Sequence, residues 1–263
     1  MPSAPDPDDR PRPLVLLHGL GQSPIAWQDV VSALGAGRSM TAPWMRGLKP
    51  KDPVGFDLTA AAGGVADELE LHGIRQADFL GVSVGASVAL RLAVERPELV
   101  GRLVLGSPLV RPSKAALRMQ RIAMRLVPES KLVDAGVSRP RMLAVLDALK
   151  GFDGTESLRQ VAAPTLLVAG GRDKAGIAAA QQLAGLLRDS EVAVVEGAGS
   201  VLNIDAPRQL ADLAARFLDA ERKGQRDGSG DAEGIGKGIG EGADGGNDGR
   251  NDSGSADGDL SRG

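Results

Sequence analysis

One serine of the chain stands in the sequence context that a catalytic nucleophile requires. Residues 81–85 read Gly-Val-Ser-Val-Gly, follow an apolar run and open a helical pattern. A serine at the centre of such a G-x-S-x-G pattern lies on a tight strand-to-helix turn, where the two glycines allow the backbone to approach closely. The positive end of the following helix favours an oxyanion that develops beside the hydroxyl. The pattern therefore predicts that Ser83 is a nucleophile.

A serine nucleophile needs a base that takes its proton and an acid that orients the base. Asp173 is an acidic residue that follows an apolar strand pattern and a Gly-Gly turn, and a surface ion pair with Arg172 or Lys174 is one interpretation of it. The chain has only two histidines, His18 and His72, and neither lies in its C-terminal half. The sequence thus offers a nucleophile, and it lacks an obvious base.

Composition excludes several other kinds of site. The chain has no cysteine, which excludes thiol catalysis and cysteine metal sites, and we expect no metal. Residues 19–21, Gly-Leu-Gly, resemble the start of a dinucleotide-binding turn, but the third glycine and the acidic residue of that fingerprint are missing, so no cofactor is expected.

The charge distribution bears on the partners of the protein. The chain carries a net charge of −3, and residues 223–263 hold nine acidic and five basic residues, so residues 1–222 are close to neutral. A near-neutral body predicts no nucleic-acid surface. No apolar run approaches the length of a membrane span, so no membrane partner is expected. The expected partner is a small-molecule substrate or ligand.

Short apolar runs alternate with helical patterns along the chain, which predicts an α/β fold with a parallel sheet covered by helices on both faces. The predicted strands are 14–17, 39–42, 77–81, 99–105, 163–169 and 192–195. The predicted helices that alternate with them are 23–33, 57–72, 84–96, 175–188 and 207–218.

Composition also divides the chain into regions. Residues 1–12 are expected to be a disordered leader; they lack the pattern of a signal peptide, so a cytoplasmic location is expected. Residues 13–222 form one domain, and residues 223–263, rich in Gly and Asp, form a disordered tail. The segment from about residue 111 to about residue 160 has helical patterns without a strand, which predicts a short helical lid. Its basic helix at 113–127 has a solvated face or, as the alternative, lies on a membrane.

The order of these motifs resembles the α/β-hydrolase fold. Residues 18–21 (His-Gly-Leu-Gly), the G-x-S-x-G pattern, residues 170–173 (Gly-Gly-Arg-Asp) and residues 197–199 (Gly-Ala-Gly) follow one another at the expected strand ends. The likeness covers residues 13–218. Each motif alone is short, but four motifs in the right order are specific. The resemblance implies a mostly parallel central sheet, helices on both faces and a helical lid.

The resemblance also implies roles for residues around the nucleophile. The main-chain N–H groups of Leu20 and Val84 would form the oxyanion hole. His18 and Gly19 would shape the loop that binds the substrate or ligand. Ser83 would attack, as its own pattern already predicts, and Asp173 would be the acid that orients the base.

The resemblance places a histidine where this chain has Ser200. That position comes 27 residues after Asp173 and directly follows the Gly-x-Gly turn, and the run from Asp205, Asp-Ala-Pro, keeps the register of the family. A serine hydroxyl cannot replace imidazole as a base, because its pKa lies far above neutrality. His18 could act as a substitute base. His72 is expected near the opposite edge of the sheet, roughly 15 Å from the serine at about 3.3 Å per strand residue.

These observations favour a hydrolase of small ester or acyl substrates whose Ser-His-Asp triad is incomplete. The alternative is a non-catalytic binding or regulatory protein that keeps the fold and its pocket without the base. A third reading is a recent loss of function in a lineage that was once active.

Overall fold

The computed structural model describes residues 11–49, 52–53, 55–108, 138–150 and 155–228. Within these residues six strands form one parallel sheet in the order β2-β1-β3-β4-β5-β6. The strands are β1 (Leu14–Leu17), β2 (Met40–Thr41), β3 (Ala77–Val82), β4 (Val100–Gly106), β5 (Thr165–Gly170) and β6 (Ser190–Val195).

The inner strands form where the sequence has continuous apolar runs. All residues of β1, β3 and β5 are buried, as expected for parallel strands with both faces covered. In the register of the sheet Leu17 lies beside Gly81, and Gly106 lies beside both Val82 and Val168. The carboxyl ends of these strands therefore meet at one edge of the sheet, the carboxyl edge.

Helices cover both faces of the sheet. They are α1 (Gln28–Leu34), α2 (Leu58–Leu71), α3 (Val84–Glu95), α4 (Arg139–Lys150), α5 (Thr155–Leu158), α6 (Lys174–Ala184), α7 (Leu202–Asp205) and α8 (Pro207–Gly228). One core cluster packs α2, α3, α4 and α6 on the sheet, and the other packs α1, α7 and α8 on the opposite face. This arrangement confirms the expected fold class.

Several boundaries differ from the sequence prediction. The helix predicted at 23–33 is a 3₁₀ turn (Pro24–Trp27) followed by α1, and the strand predicted at 39–42 is only two residues long. The last helix continues past residue 218 to Gly228; the first residues of this extension include Ala, Glu and Arg at 220–222, which are good helix formers.

The structure describes only part of the lid and the tail that the sequence predicts. The chain divides into two units, Met1–Gly224 and Gln225–Gly263, and the tail predicted from residue 223 stays a prediction. The basic helix predicted at 113–127 lies outside the described residues. Of the predicted lid, α4 and α5 are described. None of the described helices is long and apolar enough to cross a membrane.

Candidate active site

Ser83 occupies a strained turn between β3 and α3. Its backbone has φ 54° and ψ −120°, a conformation that costs a non-glycine residue about 1–3 kcal/mol. Its N–H donates to the carbonyl oxygen of Gly106 at 2.9 Å, and its carbonyl oxygen accepts from Ala86 N–H at 3.1 Å. The turn is thus tied to the next strand and to the first turn of α3. The side chain is half-buried at the carboxyl edge.

The two glycines that flank Ser83 are required by close backbone contacts. A Cβ on Gly85 would overlap the carbonyl group of Leu17 and lie 2.7 Å from His18 O. A Cβ on Gly81 would lie 2.7 Å from the carbonyl carbon of Gly85. Such distances exclude side chains at both positions, so the G-x-S-x-G pattern has a steric basis in this fold.

The loop that follows β1, residues 18–22, lies directly beside the serine; we call it the β1 loop. A Cβ on Gly19 would lie 3.6 Å from Cβ of Ser83. Leu20 is the next residue of this loop, and Val84 is the first residue of α3. The two predicted oxyanion donors are therefore the neighbours of Gly19 and Ser83 in the chain, on two segments that pack against each other. Their role stays a prediction.

His18 is fully buried in the β1 loop. Its Nδ1 lies 3.0 Å from the carbonyl oxygen of Gly19, so Nδ1 carries the proton and Nε2 carries a lone pair. Nε2 has no hydrogen-bond partner among the described residues. The ring meets Trp44 edge to face at 5.3 Å between centroids. Burial lowers the pKa of His18, although the hydrogen bond to Gly19 opposes the shift, and the imidazole is neutral at pH 7.

Asp173 follows β5 and caps the N-terminus of α6. Its Oδ1 accepts from Gly176 N–H at 2.9 Å, and its own N–H donates to Gly170 O at 2.9 Å. Within the described part of the chain the carboxylate is not paired with Arg172 or Lys174, the alternative that the sequence left open. The acid therefore has one oxygen engaged by its own helix.

Ser200 lies in the loop between β6 and α7, and its side chain is exposed. This loop packs on the turn that holds Asp173: a Cβ on Gly170 would overlap Gly199 O, and Arg172 N–H donates to Ala198 O at 3.0 Å. The structure thus brings the loop of Ser200 against the turn of Asp173.

Ser200 is also linked to the end of the strand beside the nucleophile. Leu202, two residues further on, is fully buried, and a Cβ on Gly106 would lie 3.1 Å from its Cδ1. Gly106 is the residue whose carbonyl accepts from Ser83 N–H. The three positions predicted for nucleophile, acid and base thus belong to neighbouring turns at the carboxyl edge.

Three polar residues at this edge were missed by the sequence analysis. Ser107 follows β4 with φ 43°, and its buried Oγ has no partner among the described residues. Gln22 and Asn203 form a hydrogen-bonded pair between the β1 loop and α7. Nothing in the sequence marks Ser107 or Asn203, whereas Gln22 directly follows the Gly-Leu-Gly run and could have been suspected.

The other histidine lies away from the site. His72 is the residue after α2, exposed, with Nδ1 bonded to Glu68 O at 2.8 Å. It precedes the amino end of β3, whereas Ser83 follows the carboxyl end of that strand. No cluster of three or more metal-binding side chains occurs among the described residues.

A cavity of about 340 Å³ lies elsewhere, against α1 and the edge strand β2. Leu16, Trp27, Val31 and Met40 line it together with neighbouring residues. None of the predicted site residues lines this cavity, and the buried indole Nε1 of Trp27 has no partner within the described residues. Because Ser83 does not line this cavity, the cavity gives no indication of a substrate for Ser83.

Comparison with known proteins places this geometry in a family. Residues 14–213 match the model of the alpha/beta hydrolase family. A Mycobacterium tuberculosis protein of uncharacterized function is 24% identical, covering 78% of this chain and 75% of its own length. A putative carbamate hydrolase, RutD, of Pseudomonas savastanoi is 26% identical, covering 79% of this chain and 94% of its own length.

Solved structures show the same fold. A hydrolase from Pseudomonas aeruginosa superposes with a TM-score of 0.69 at 20% identity, covering 80% of this chain and 90% of the other. At this level of identity the likeness concerns the fold alone.

Proposed function

The chain belongs to the alpha/beta hydrolase family, and on that basis we propose that it is a hydrolase of small ester or acyl substrates that acts through Ser83. The observation that carries the proposal is the turn of Ser83: a non-glycine residue at φ 54° between two glycines that tolerate no side chain. Strain of this kind persists where the surroundings enforce it, and it is typical of functional sites.

The parts of the site have distinct roles in this proposal. Ser83 Oγ attacks the carbonyl carbon of the substrate. The developing oxyanion accepts hydrogen bonds from the main-chain N–H groups of Leu20 and Val84, at the positive end of α3. Asp173 stands where the acid of a triad would orient a base. The relative named as a carbamate hydrolase supports carbamates beside esters as substrates to test.

The base is the part that sets the rate. With Ser200 in the position of the histidine, no imidazole takes the proton of Ser83 from that side. Loss of the base of a serine triad costs on the order of 10⁶ in turnover and leaves about 10³–10⁴ over water from the oxyanion hole and binding. We therefore expect slow turnover of activated substrates. Two roles are open to His18. It is neutral and its Nε2 has no partner within the described residues, as a substitute base would require. Its Nδ1 bond to the carbonyl oxygen of Gly19 instead supports a role in shaping the β1 loop.

The proposal is tested by comparing the wild type with Ser83→Ala. Steady-state turnover is measured over a panel of p-nitrophenyl esters of increasing chain length and one activated carbamate, together with labelling by a fluorophosphonate. The wild type should exceed Ser83→Ala with at least one substrate and should be labelled at Ser83. Equal rates of the two proteins over the panel, with no labelling, would contradict the proposal.

A second candidate function is a non-catalytic binding protein. Two observations favour it: Ser200 is exposed, and the carboxylate of Asp173 already caps α6. In a binding protein Ser83 contributes one hydrogen bond, so Ser83→Ala should weaken ligand binding by only about 0.5–1.5 kcal/mol. Calorimetry with a ligand that co-purifies with the protein separates the two functions.

A further inference from the structure

The peptide groups of Gly19 are held at both of their polar ends. Its N–H donates to Oε1 of Gln22 at 2.8 Å. Its carbonyl oxygen accepts from the N–H of Gln22 at 3.2 Å and from Nδ1 of His18 at 3.0 Å. Gln22 therefore fixes the peptide on each side of Gly19 through its side chain and its main chain.

This arrangement sets the direction of the next N–H group. The carbonyl of Gly19 and the N–H of Leu20 belong to one trans peptide, so they point in opposite directions. Because His18 and Gln22 hold the carbonyl from one side, the N–H of Leu20 is turned to the other side. Gly19 itself is next to Ser83, with a Cβ position 3.6 Å from Cβ of the serine. The orientation of the predicted oxyanion donor thus depends on Gln22.

Gln22 is in turn held by a residue far away in the sequence. Its Nε2 donates to Oδ1 of Asn203 at 3.1 Å, and Nδ2 of Asn203 lies 3.2 Å from Oε1 of Gln22. Nδ2 of Asn203 also donates to the carbonyl oxygen of Ala26 at 3.1 Å. Asn203 is 0% exposed, so water cannot replace these bonds.

The main chain fixes the polarity of this amide pair at both ends. The N–H of Gly19 can only donate, so Oε1 of Gln22 must face it. The carbonyl of Ala26 can only accept, so Nδ2 of Asn203 must face it. A carboxylate at position 203 would set two acceptors against each other, and an apolar residue there would leave the buried side of Gln22 without its partner. The site requires an amide at position 203.

We propose that Asn203 is a positioning residue, which acts through Gln22 to hold the β1 loop and to aim the N–H of Leu20 at the oxyanion formed on Ser83. The proposal rests on the proposed function of Ser83. Asn203 stands three residues after Ser200, in α7, so the same segment that lost the base keeps the support of the oxyanion donor. A carbonyl or phosphoryl oxygen is the chemical group that this donor would bind.

The test uses Asn203→Leu and Gln22→Met, two substitutions that remove the amide and keep most of the volume. The matched control is Thr165→Val, which removes another fully buried hydrogen bond, from Thr165 Oγ1 to Ala163 O at 2.9 Å, at the amino end of β5. All three are made in the full chain, both with the natural serine at position 200 and with Ser200→His.

Two experiments, which give three quantities, are carried out on each protein. Deuterium uptake of residues 14–27, followed by mass spectrometry, reports how firmly the β1 loop is held. The kinetics of labelling by a fluorophosphonate give the maximal rate of phosphonylation of Ser83 and, separately, the concentration of probe at half-saturation. Misplacing an oxyanion donor lowers the rate of the chemical step and leaves ground-state binding nearly unchanged.

The proposal predicts faster uptake in the β1 loop and a maximal phosphonylation rate that falls about 10- to 100-fold in both amide variants. The half-saturating concentration should stay within about 2-fold, and Thr165→Val should change neither the uptake of the β1 loop nor the maximal rate. Unchanged uptake in Asn203→Leu, an unchanged maximal rate, or an equal fall in Thr165→Val would overturn it. If Ser83 is labelled in no protein, the proposed function fails, and the uptake alone then decides whether Asn203 positions the loop.

Discussion

At the amino edge of the sheet, where the strands begin, the carboxylate of Asp78 has several ion-pair and hydrogen-bond partners. At the carboxyl edge, Nε2 of His18 and Oγ of Ser107 are buried and have no hydrogen-bond partner among the described residues. Asp78 lies in β3, is 2% exposed, and pairs with Arg38 at 3.0 Å while it accepts from Arg102 N–H at 3.0 Å. Arg12 lies 3.9 Å away. Burial raises the pKa of Asp78, and the charges of Arg38 and Arg12 oppose the shift.

The carboxyl edge is built in the opposite way. Ser83 and Ser107, which follow adjacent strands, are the non-glycine residues with positive φ in the described part of the chain. Nε2 of His18 and Oγ of Ser107 are buried without a partner there. The buried carboxylate at the amino edge is thus satisfied by its neighbours. At the carboxyl edge the Gln22–Asn203 pair is satisfied as well, but two serine turns have positive φ and two buried polar atoms have no partner among the described residues, which is typical of a site that binds a ligand.

The largest effect on stability is expected at the amino edge. Asp78→Ala leaves the side chain of Arg38, which is 10% exposed, with Asp219 as its remaining carboxylate, and should lower the free energy of unfolding by about 3 kcal/mol. The control is Asp67→Ala, which breaks an exposed pair with Arg46 and should cost less than about 0.5 kcal/mol. Urea unfolding measures both. Equal values would remove the contrast between the two edges.

Removing the side chain of Ser83 should release strain, whereas substitutions at the amino edge should lower the free energy of unfolding. Both Ser83→Gly and Ser83→Ala lose the hydroxyl, but only Ser83→Ala keeps Cβ. Because glycine adopts φ 54° without strain, Ser83→Gly should be about 1–2 kcal/mol more stable than Ser83→Ala. The difference between the two free energies of urea unfolding gives the strain reduced by the larger unfolded-state entropy of glycine, about 0.5–1 kcal/mol. A Ser83→Gly protein no more stable than Ser83→Ala would show that the strain of the turn does not exceed that entropy.

Substitutions of Asp173 separate its role as the N-terminal cap of α6 from the role of its charge. Asp173→Ala removes the cap of α6 and should cost about 1 kcal/mol, while Asp173→Asn keeps a capping oxygen and should stay within a few tenths of a kcal/mol of the wild type. Thermal and urea unfolding measure the two. A loss above about 3 kcal/mol in Asp173→Asn would mean that the charge of Asp173 is needed for the fold, and the contrast with Asp78 would fail.

The smallest effect is a dependence of stability on pH from His18. Since the folded pKa is lowered below 6.5, the unfolded chain binds more protons in the window below about pH 6.5. Stability present at pH 7 is therefore lost as the pH falls through that window, by at most about 1.4 kcal/mol per pH unit for one proton. His18→Asn can still donate to Gly19 O, and it should have a flatter profile between pH 7 and 5. Asp78 contributes with the opposite sign to both proteins, so it cancels in the difference. Parallel profiles would contradict the burial of a neutral His18.

The fold could be predicted where the sequence pattern is local. The run Leu14–Leu17 is buried from end to end, as its continuous apolar sequence indicates, and the β1 strand has the predicted bounds. The two-residue strand β2 was predicted too long, because its pairing with β1 is set by tertiary contacts rather than by its own residues.

The candidate site could be predicted only where spacing along the chain carries the information. Ser83, Asp173 and Ser200 are predicted from motifs that follow strands and from the resemblance that these motifs carry, and their roles stay predictions. The pair of Gln22 and Asn203 joins residues 181 positions apart, and no local pattern marks it. That the buried hydroxyl of Ser107 has no partner among the described residues depends on what surrounds it in three dimensions, which the sequence does not display.

In the proposed function the site keeps its nucleophile Ser83 and its acid Asp173 and lacks only the base. The measurement that tests this claim most directly is the turnover of p-nitrophenyl acetate by Ser200→His, beside the wild type and beside Ser200→Asn, which adds a polar side chain without a base. General-base catalysis contributes about 10²–10⁴-fold, so Ser200→His should raise turnover by at least about 10²-fold and Ser200→Asn should not. A folded Ser200→His protein that turns over no faster than the wild type would contradict the claim.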